Sequence, residues 1–268
     1  MSQPDSLTTP ETVTSADGTT IAYERTGSGP ALVHVDGAMV RRAFGPARDV
    51  ASALSDRFTV YIYDRRGRDD SGDTAPYAVE REIEDLRAVM AATGEVPFVL
   101  GQSSGAALAL LAAASGVPMR KLAVYEAPYI GAAAVDHVGA LRAYVSKGDR
   151  AGAVGYFLVK MVGAPAFVPV MMRLMRGPFT ALKAAAHTLE YDAQILGDFS
   201  VPTAMLATVP VPTLVMGGSK AKPNMKTAVA AVAAAVPDSV RAELAGQTHQ
   251  VSGAALRPEL IAFFTDKE

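Results

Sequence analysis

The chain contains no cysteine. Disulfides, a thiolate nucleophile and cysteine-ligated metals are thereby excluded. It also lacks any excess of one charge: 25 Lys and Arg face 27 Asp and Glu, a formal net charge of −2. That balance argues against a nucleic-acid partner and against an anionic membrane. No run reaches the roughly 18 apolar residues of a membrane span. The polar opening "MSQPDSLTTPETVTSADG" has no apolar stretch of a signal peptide. The first dozen residues are expected to be disordered, and the protein to be soluble and cytoplasmic. There is no H-E-x-x-H and no set of carboxylates at ligand spacing, so no metal is expected. No internal repeat occurs at a fixed period, and nothing in the sequence reports an oligomeric state.

What is present is core. Half of the 268 residues are hydrophobic, and the length suits one large α/β domain with an insertion or two small domains. "TVTSADGTTIAYERTG" reads as two short strands around Asp17-Gly18, a strong hairpin signal. Strand-like runs "ALVHV", "FTVYIYD", "PFVLG" and "KLAVYEAPY" then alternate with helical segments. Strands joined by helices require right-handed parallel crossovers, so the sheet is expected to be mostly parallel. The central strands read as continuous apolar runs, as strands buried on both faces do. From about Gly131 to Thr208 the rhythm changes to helical spacing without a convincing strand. The strand–helix pattern resumes at "VPVPTLVMGG". The expected division is therefore a core of residues 1–130 and 209–268 with an all-helical insertion at 131–208.

One turn carries chemistry. Gly101-Gln102-Ser103-Ser104-Gly105 fits G-x-S-x-G between a predicted strand and a predicted helix. A sharp strand-to-helix turn forces its middle residue into a strained backbone conformation and needs small neighbours. Ser103 at the tip is the candidate nucleophile. Ser104 would offer its backbone N–H to an oxyanion at the positive end of the new helix. A serine hydroxyl is a weak nucleophile without an adjacent base. Of the four histidines, His34 lies inside an apolar run, and His137 and His187 lie in the helical insertion. His249 follows a late strand, and reactive groups gather at the carboxyl ends of strands in open α/β sheets. His249 is the candidate base.

These pieces together resemble the α/β-hydrolase superfamily, in particular small bacterial single-domain hydrolases with a helical cap. The matching stretches are "LVHVDGA", "YDRRGRDDSGD", "VLGQSSGAALAL", "VYEAPY", "VPTLVMGG" and "GQTHQV", in that order. The resemblance implies an eight-stranded, mostly parallel sheet, a cap made from 131–208, and no cofactor. It also implies a second oxyanion donor at the backbone N–H of Ala38. Relatives carry His-Gly where this chain has Asp36-Gly37, and glycine where it has Asp69. Aspartate tolerates a positive φ better than most residues.

The third departure concerns the triad acid. Relatives place an aspartate after the strand that follows the cap, but "MGGSKAKPNMK" has no acidic residue. Some members carry the acid at the end of the strand before the cap, where this chain offers Glu126. Asp192 and Asp198 are weaker candidates. The expected activity is a Ser-His-acid hydrolase cleaving an ester, lactone or thioester of a small, lipophilic molecule. Asp36, Gly37 and Gln102 beside the elbow, with Met161 and Met172 in the insertion, are the expected substrate-binding residues. A serine at the elbow excludes the relatives that use aspartate there. Two rivals stay open: a non-hydrolytic cyclase or lyase of secondary metabolism, and a ligand-binding protein with a disabled triad.

Overall fold

A computed structural model describes residues 10–131 and 135–266. Eight strands form one sheet: β1 (Glu11–Thr14), β2 (Thr20–Gly27), β3 (Ala31–Val35), β4 (Thr59–Tyr63), β5 (Phe98–Gln102), β6 (Leu122–Tyr125), β7 (Thr213–Gly218) and β8 (Ser239–Leu244). Their order across the sheet is β1-β2-β4-β3-β5-β6-β7-β8. Only the β1–β2 and β2–β4 pairs are antiparallel; β3 to β8 run parallel.

Order begins earlier than the composition of the first dozen residues suggests. β1 starts at Glu11, whose carboxylate accepts bonds from the Tyr23 hydroxyl and Arg25 Nε at 3.0 Å each. Residues 1–9 lie outside the described residues. The expected hairpin is present: Gly18 turns with φ 85°, and the Thr19 N–H donates to Asp17 Oδ1 at 3.0 Å.

The helices are α1 (Ala47–Leu54), α2 (Val79–Ala91), α3 (Ser104–Ala114), α4 (His137–Ser146), α5 (Arg150–Tyr156), α6 (Val168–Leu174), α7 (Arg176–Ala184), α8 (Leu189–Leu196), α9 (Thr203–Leu206), α10 (Pro223–Ala235) and α11 (Gly253–Thr265). Successive strand residues point to opposite faces. Thus Val33, Val35 and Val99 pack with α2, α3 and α10, while Leu32, Leu100 and Ala123 pack with α1 and α11. Both faces are covered, which is why these strands carry no polar alternation. Helix α3 is central, with nine of its eleven residues buried. Between β6 and β7 the described residues form helices α4 to α9 and no strand, with a π-helical turn at Phe157–Met161. No helix among the described residues is long and apolar enough to cross a membrane.

The loop after β4 holds three buried arginines, Arg65, Arg66 and Arg68. Buried charge requires paired and hydrogen-bonded partners, and each has them. Arg66 forks onto Asp85 at 2.7 Å twice, and Arg65 onto Glu82 at 2.6 and 2.8 Å. Asp69, in the same loop, takes φ 37° and accepts from Arg41 at 2.7 Å. The left-handed position expected there is real, and aspartate fills it.

Candidate active site

The elbow follows from local geometry. β5 ends at Gln102 and α3 begins at Ser104, leaving Ser103 alone to turn the chain, at φ 55° and ψ −127°. This region is sparsely populated by any residue but glycine, and its strain must be held by surroundings. Here the Ser103 N–H donates to Tyr125 O at 2.9 Å, and its carbonyl accepts from the Ala106 N–H at 2.9 Å. The flanking glycines are steric necessities. A Cβ at Gly105 would lie 2.2 Å from Val35 O, and one at Gly101 only 2.6 Å from Ala106 Cα.

Two other strand ends meet this turn. His249, in the loop between β8 and α11, places Nε2 3.0 Å from Ser103 Oγ. Its Nδ1 lies 2.8 Å from Glu126 Oε2. A carboxylate only accepts, so Nδ1 carries the proton and the lone pair of Nε2 faces the serine hydroxyl. Glu126 is 1% exposed, takes φ 47° just past β6, and uses Oε1 to accept the Gly218 N–H at 2.8 Å. Gly218 is the last residue of β7, so this strand, which is followed by no acidic residue before α10, donates a backbone N–H to Glu126. The imidazole is 43% exposed, open to an incoming molecule.

Tyr125, which the sequence did not single out, supports the same loop. Its hydroxyl donates to the carbonyl of Thr248, the residue before His249.

The two expected oxyanion donors also lie beside Ser103. Ser104 is the first residue of α3, where backbone N–H groups have no intrahelical acceptor. The loop carrying Ala38 packs against the elbow: a Cβ on Gly37 would come 2.8 Å from Ser103 Cβ.

Behind both donors stands a buried ionic cluster. Asp192 of α8 accepts from Arg65 at 2.7 Å, from Arg68 at 2.9 and 3.1 Å, and from the Ser104 hydroxyl at 2.7 Å. Arg68 also donates to Gly37 O at 2.6 Å and Val40 O at 3.1 Å. Burial opposes ionisation of Asp192, but Arg65 and Arg68 outweigh it and hold the carboxyl below its usual value. One residue of the helical segment therefore braces the backbone on both sides of the elbow. Asp192→Ala would leave two guanidiniums buried and half-paired. Removing one partner of such a group costs about 3–5 kcal/mol. Urea denaturation should show a loss of that size; a loss under about 1 kcal/mol, the range of an exposed pair, would remove Asp192 from this role. Asp198, the other weaker acid candidate, instead accepts from the Ser200 N–H at 2.9 Å in an exposed turn.

The expected substrate-binding residues are placed less uniformly. Gln102 is buried at 6% exposure, and its Nε2 has no partner among the described residues. Met161 lies in the core cluster and Met172 packs against it. Phe167, Met171 and Met175, apolar residues of the same insertion, are 57–60% exposed.

Asp36 is buried, with Oδ1 unpaired among the described residues and His34 Nε2 3.7 Å away. Burial pushes its carboxyl above the usual value, against the pull of His34 and Arg68. A raised acid in the folded state gives stability that is complete below the unfolded pKa, about 4, and is lost as pH rises through the folded value. The Tm of the wild type relative to Asp36→Asn should therefore fall as pH increases above about 4. Parallel melting curves across that range would show that Asp36 is not desolvated.

The comparisons with known proteins agree with this frame. The model of the alpha/beta hydrolase family matches residues 27–262. An alpha/beta hydrolase from Sphaerobacter thermophilus is 45% identical, with TM-score 0.87 over 95% of this chain and 100% of that one. Two more distant structures share the fold. A bromoperoxidase from Bacillus anthracis is 18% identical, with TM-score 0.72, covering 96% of this chain and all of its own. An enol-lactonase from Burkholderia xenovorans is also 18% identical, with TM-score 0.68 and coverage of 95% and 100%. A comparison with curated proteins found no sequence match. A family match running from the last residue of β2 into α11, on a sheet that carries a serine elbow at the end of β5, leaves one assignment: the chain belongs to the alpha/beta hydrolase family.

Proposed function

We propose that the protein is a serine hydrolase that cleaves an ester, lactone or thioester of a small, lipophilic molecule through an acyl-enzyme. The observation that carries this is the unbroken hydrogen-bonded chain Ser103–His249–Glu126. In this reading His249 Nε2 takes the Ser103 proton as Oγ attacks the substrate carbonyl. The backbone N–H groups of Ala38 and Ser104 hold the oxyanion, and Glu126 stabilises the imidazolium. The imidazolium then protonates the leaving oxygen or sulfur. A water, deprotonated by the same nitrogen, releases the acid and restores the serine. No step needs a metal or cofactor.

The helical segment 131–208 serves as the cap over a core of 1–130 and 209–268. Its apolar side chains, Met161 and Met172 among them, favour a lipophilic substrate. An enol-lactonase shares the fold, and the proposal keeps lactones in the substrate class. The cyclase or lyase reading drew its support from the missing acid after β7. A carboxylate 2.8 Å from His249 removes that motive.

A fluorophosphonate probe tests the proposal without knowledge of the substrate. It should label the wild type on Ser103, as peptide mass spectrometry would locate, and fail on His249→Ala. Absence of labelling in the wild type, or labelling that survives the histidine change, would refute the acyl mechanism.

A further inference from the structure

The chain's charge is not evenly spread. Five basic residues, Arg150, Lys160, Arg173, Arg176 and Lys183, and none of the 27 acidic ones fall between Asp149 and Glu190. The near-neutral total conceals a cationic segment that the balance of the rest, in acid excess, offsets.

The same segment exposes its apolar side chains. Along α6 and its first flanking residue, Phe167, Val170, Met171 and Leu174 are 60%, 61%, 57% and 82% exposed. Their spacing is i, i+3, i+4, i+7, one stripe of a helix, the pattern that ordinarily marks the covered face. The opposite side is covered: Pro169 is buried and Met172 packs on the core. α6 thus has two apolar faces, and one of them is left uncovered by the described residues. Met175 (57%) and Val162 (44%) extend the exposed face. Monomeric proteins rarely leave a contiguous patch of this kind without a use for it. Its cations are exposed alongside, Arg173 within the helix and Lys160 in the turn before it. Lys222, in the loop after β7, donates to Val162 O at 2.9 Å and adds a third. That contact sets the patch at the end of β7 whose Gly218 binds Glu126, the same end of the sheet as Ser103.

We propose that this face docks on an anionic lipid–water interface, with Phe167, Val170, Met171 and Leu174 entering the acyl boundary and Lys160, Arg173 and Lys222 meeting the headgroups. An outward apolar stripe edged by cations is the composition of interfacial helices. A second copy of the chain fits less well. An isologous dimer would set the same patch against itself, bringing like charges together with no acid in the segment to compensate. The docking is peripheral and needs no membrane-spanning helix. It does not depend on the acyl chemistry, because binding is read without turnover.

The full chain would be sedimented with vesicles of phosphatidylcholine alone and of phosphatidylcholine mixed with phosphatidylglycerol. Binding to the mixed vesicles, at least tenfold tighter than to the neutral ones and weakened by salt, is expected. Met171→Ser/Leu174→Ser should reduce it at least tenfold. Lys160→Gln/Arg173→Gln should reduce it about fivefold per cation removed. These side chains are exposed, so both variants should keep the wild-type Tm and fluorophosphonate labelling. Vesicle binding unchanged in both variants would overturn the proposal. So would no vesicle binding at all, whether the wild type stays monomeric, forms a dimer that Leu174→Ser dissolves, or instead captures an acidic peptide such as poly-glutamate.

Discussion

Ser103→Ala should lower kcat on a p-nitrophenyl ester by about 10⁴–10⁶, the span seen when a triad nucleophile is removed. The reason lies in how little else in the site can attack a carbonyl. His249 Nε2 faces the serine oxygen at 3.0 Å, and the neighbouring hydroxyl is committed elsewhere. The Ser104 hydroxyl, one residue on, is buried and donates to Asp192 at 2.7 Å. It cannot replace its neighbour. The residual rate should reflect binding and the oxyanion donors, which the substitution leaves intact. Folding should be largely preserved, since alanine keeps the Cβ and the backbone bonds from Ser103 N–H to Tyr125 O and from Ala106 N–H to Ser103 O do not involve the hydroxyl. Urea midpoints of the two proteins should agree. A variant that keeps more than a tenth of the wild-type kcat would show that Ser103 is not the nucleophile.

Glu126→Gln is expected to cost nearly as much, about 10⁴ in kcat, the scale of replacing a triad carboxylate by its amide. Glu126 has two neighbours with opposite demands. The Gly218 N–H needs an acceptor, and His249 Nδ1 must meet one if Nε2 is to be the base. A carboxylate satisfies both with its two oxygens. Glutamine has one oxygen. If that oxygen stays on Gly218, the amide nitrogen faces His249 Nδ1 and forces it to accept. The ring proton then moves to Nε2, toward Ser103, and the base is lost. If the amide flips, its nitrogen meets the Gly218 N–H and a buried donor goes unpaired. Activity should therefore fall far more than stability, and Glu126→Asp should recover part of it by restoring two acceptors. Equal activity in Glu126→Gln and wild type would mean that the acid comes from elsewhere. Loss of labelling in parallel with loss of fold would make Glu126 a structural residue only.

The legible parts of the site were those set by near neighbours in the chain. The elbow is an example: Gly101 and Gly105 flank Ser103 because a Cβ would strike the backbone of the same turn or the adjacent strand end. The parallel strands were legible because both faces of β3 and β5 are covered, so their sequences are unbroken apolar runs. Glu126 was a candidate ahead of Asp192 and Asp198 because the family resemblance allows the acid at the end of the strand before the helical insertion. Its partners were beyond reading, since Gly218 and His249 lie 92 and 123 residues away in sequence.

The "RRGR" loop shows the limit. Its residues are those of a loop, yet its three arginines are among the most buried side chains described. Their carboxylates come from α2, from the β1–β2 turn and from α8, more than a hundred residues on. Helix α6 fails in the opposite direction. Phe167, Met171 and Met175 have the apolar side chains of a covered face and are exposed.

The sequence by itself determined the strand–helix alternation and the strained serine turn, because sterics and hydrophobic periodicity act over a few residues. Only the tertiary structure decided which carboxylate meets His249, that Asp192 ties the helical segment to the backbone beside Ser103, and which apolar face of α6 is left open. Charge pairing and burial depend on what packs opposite a side chain, and the chain brings those neighbours from positions that no local pattern connects.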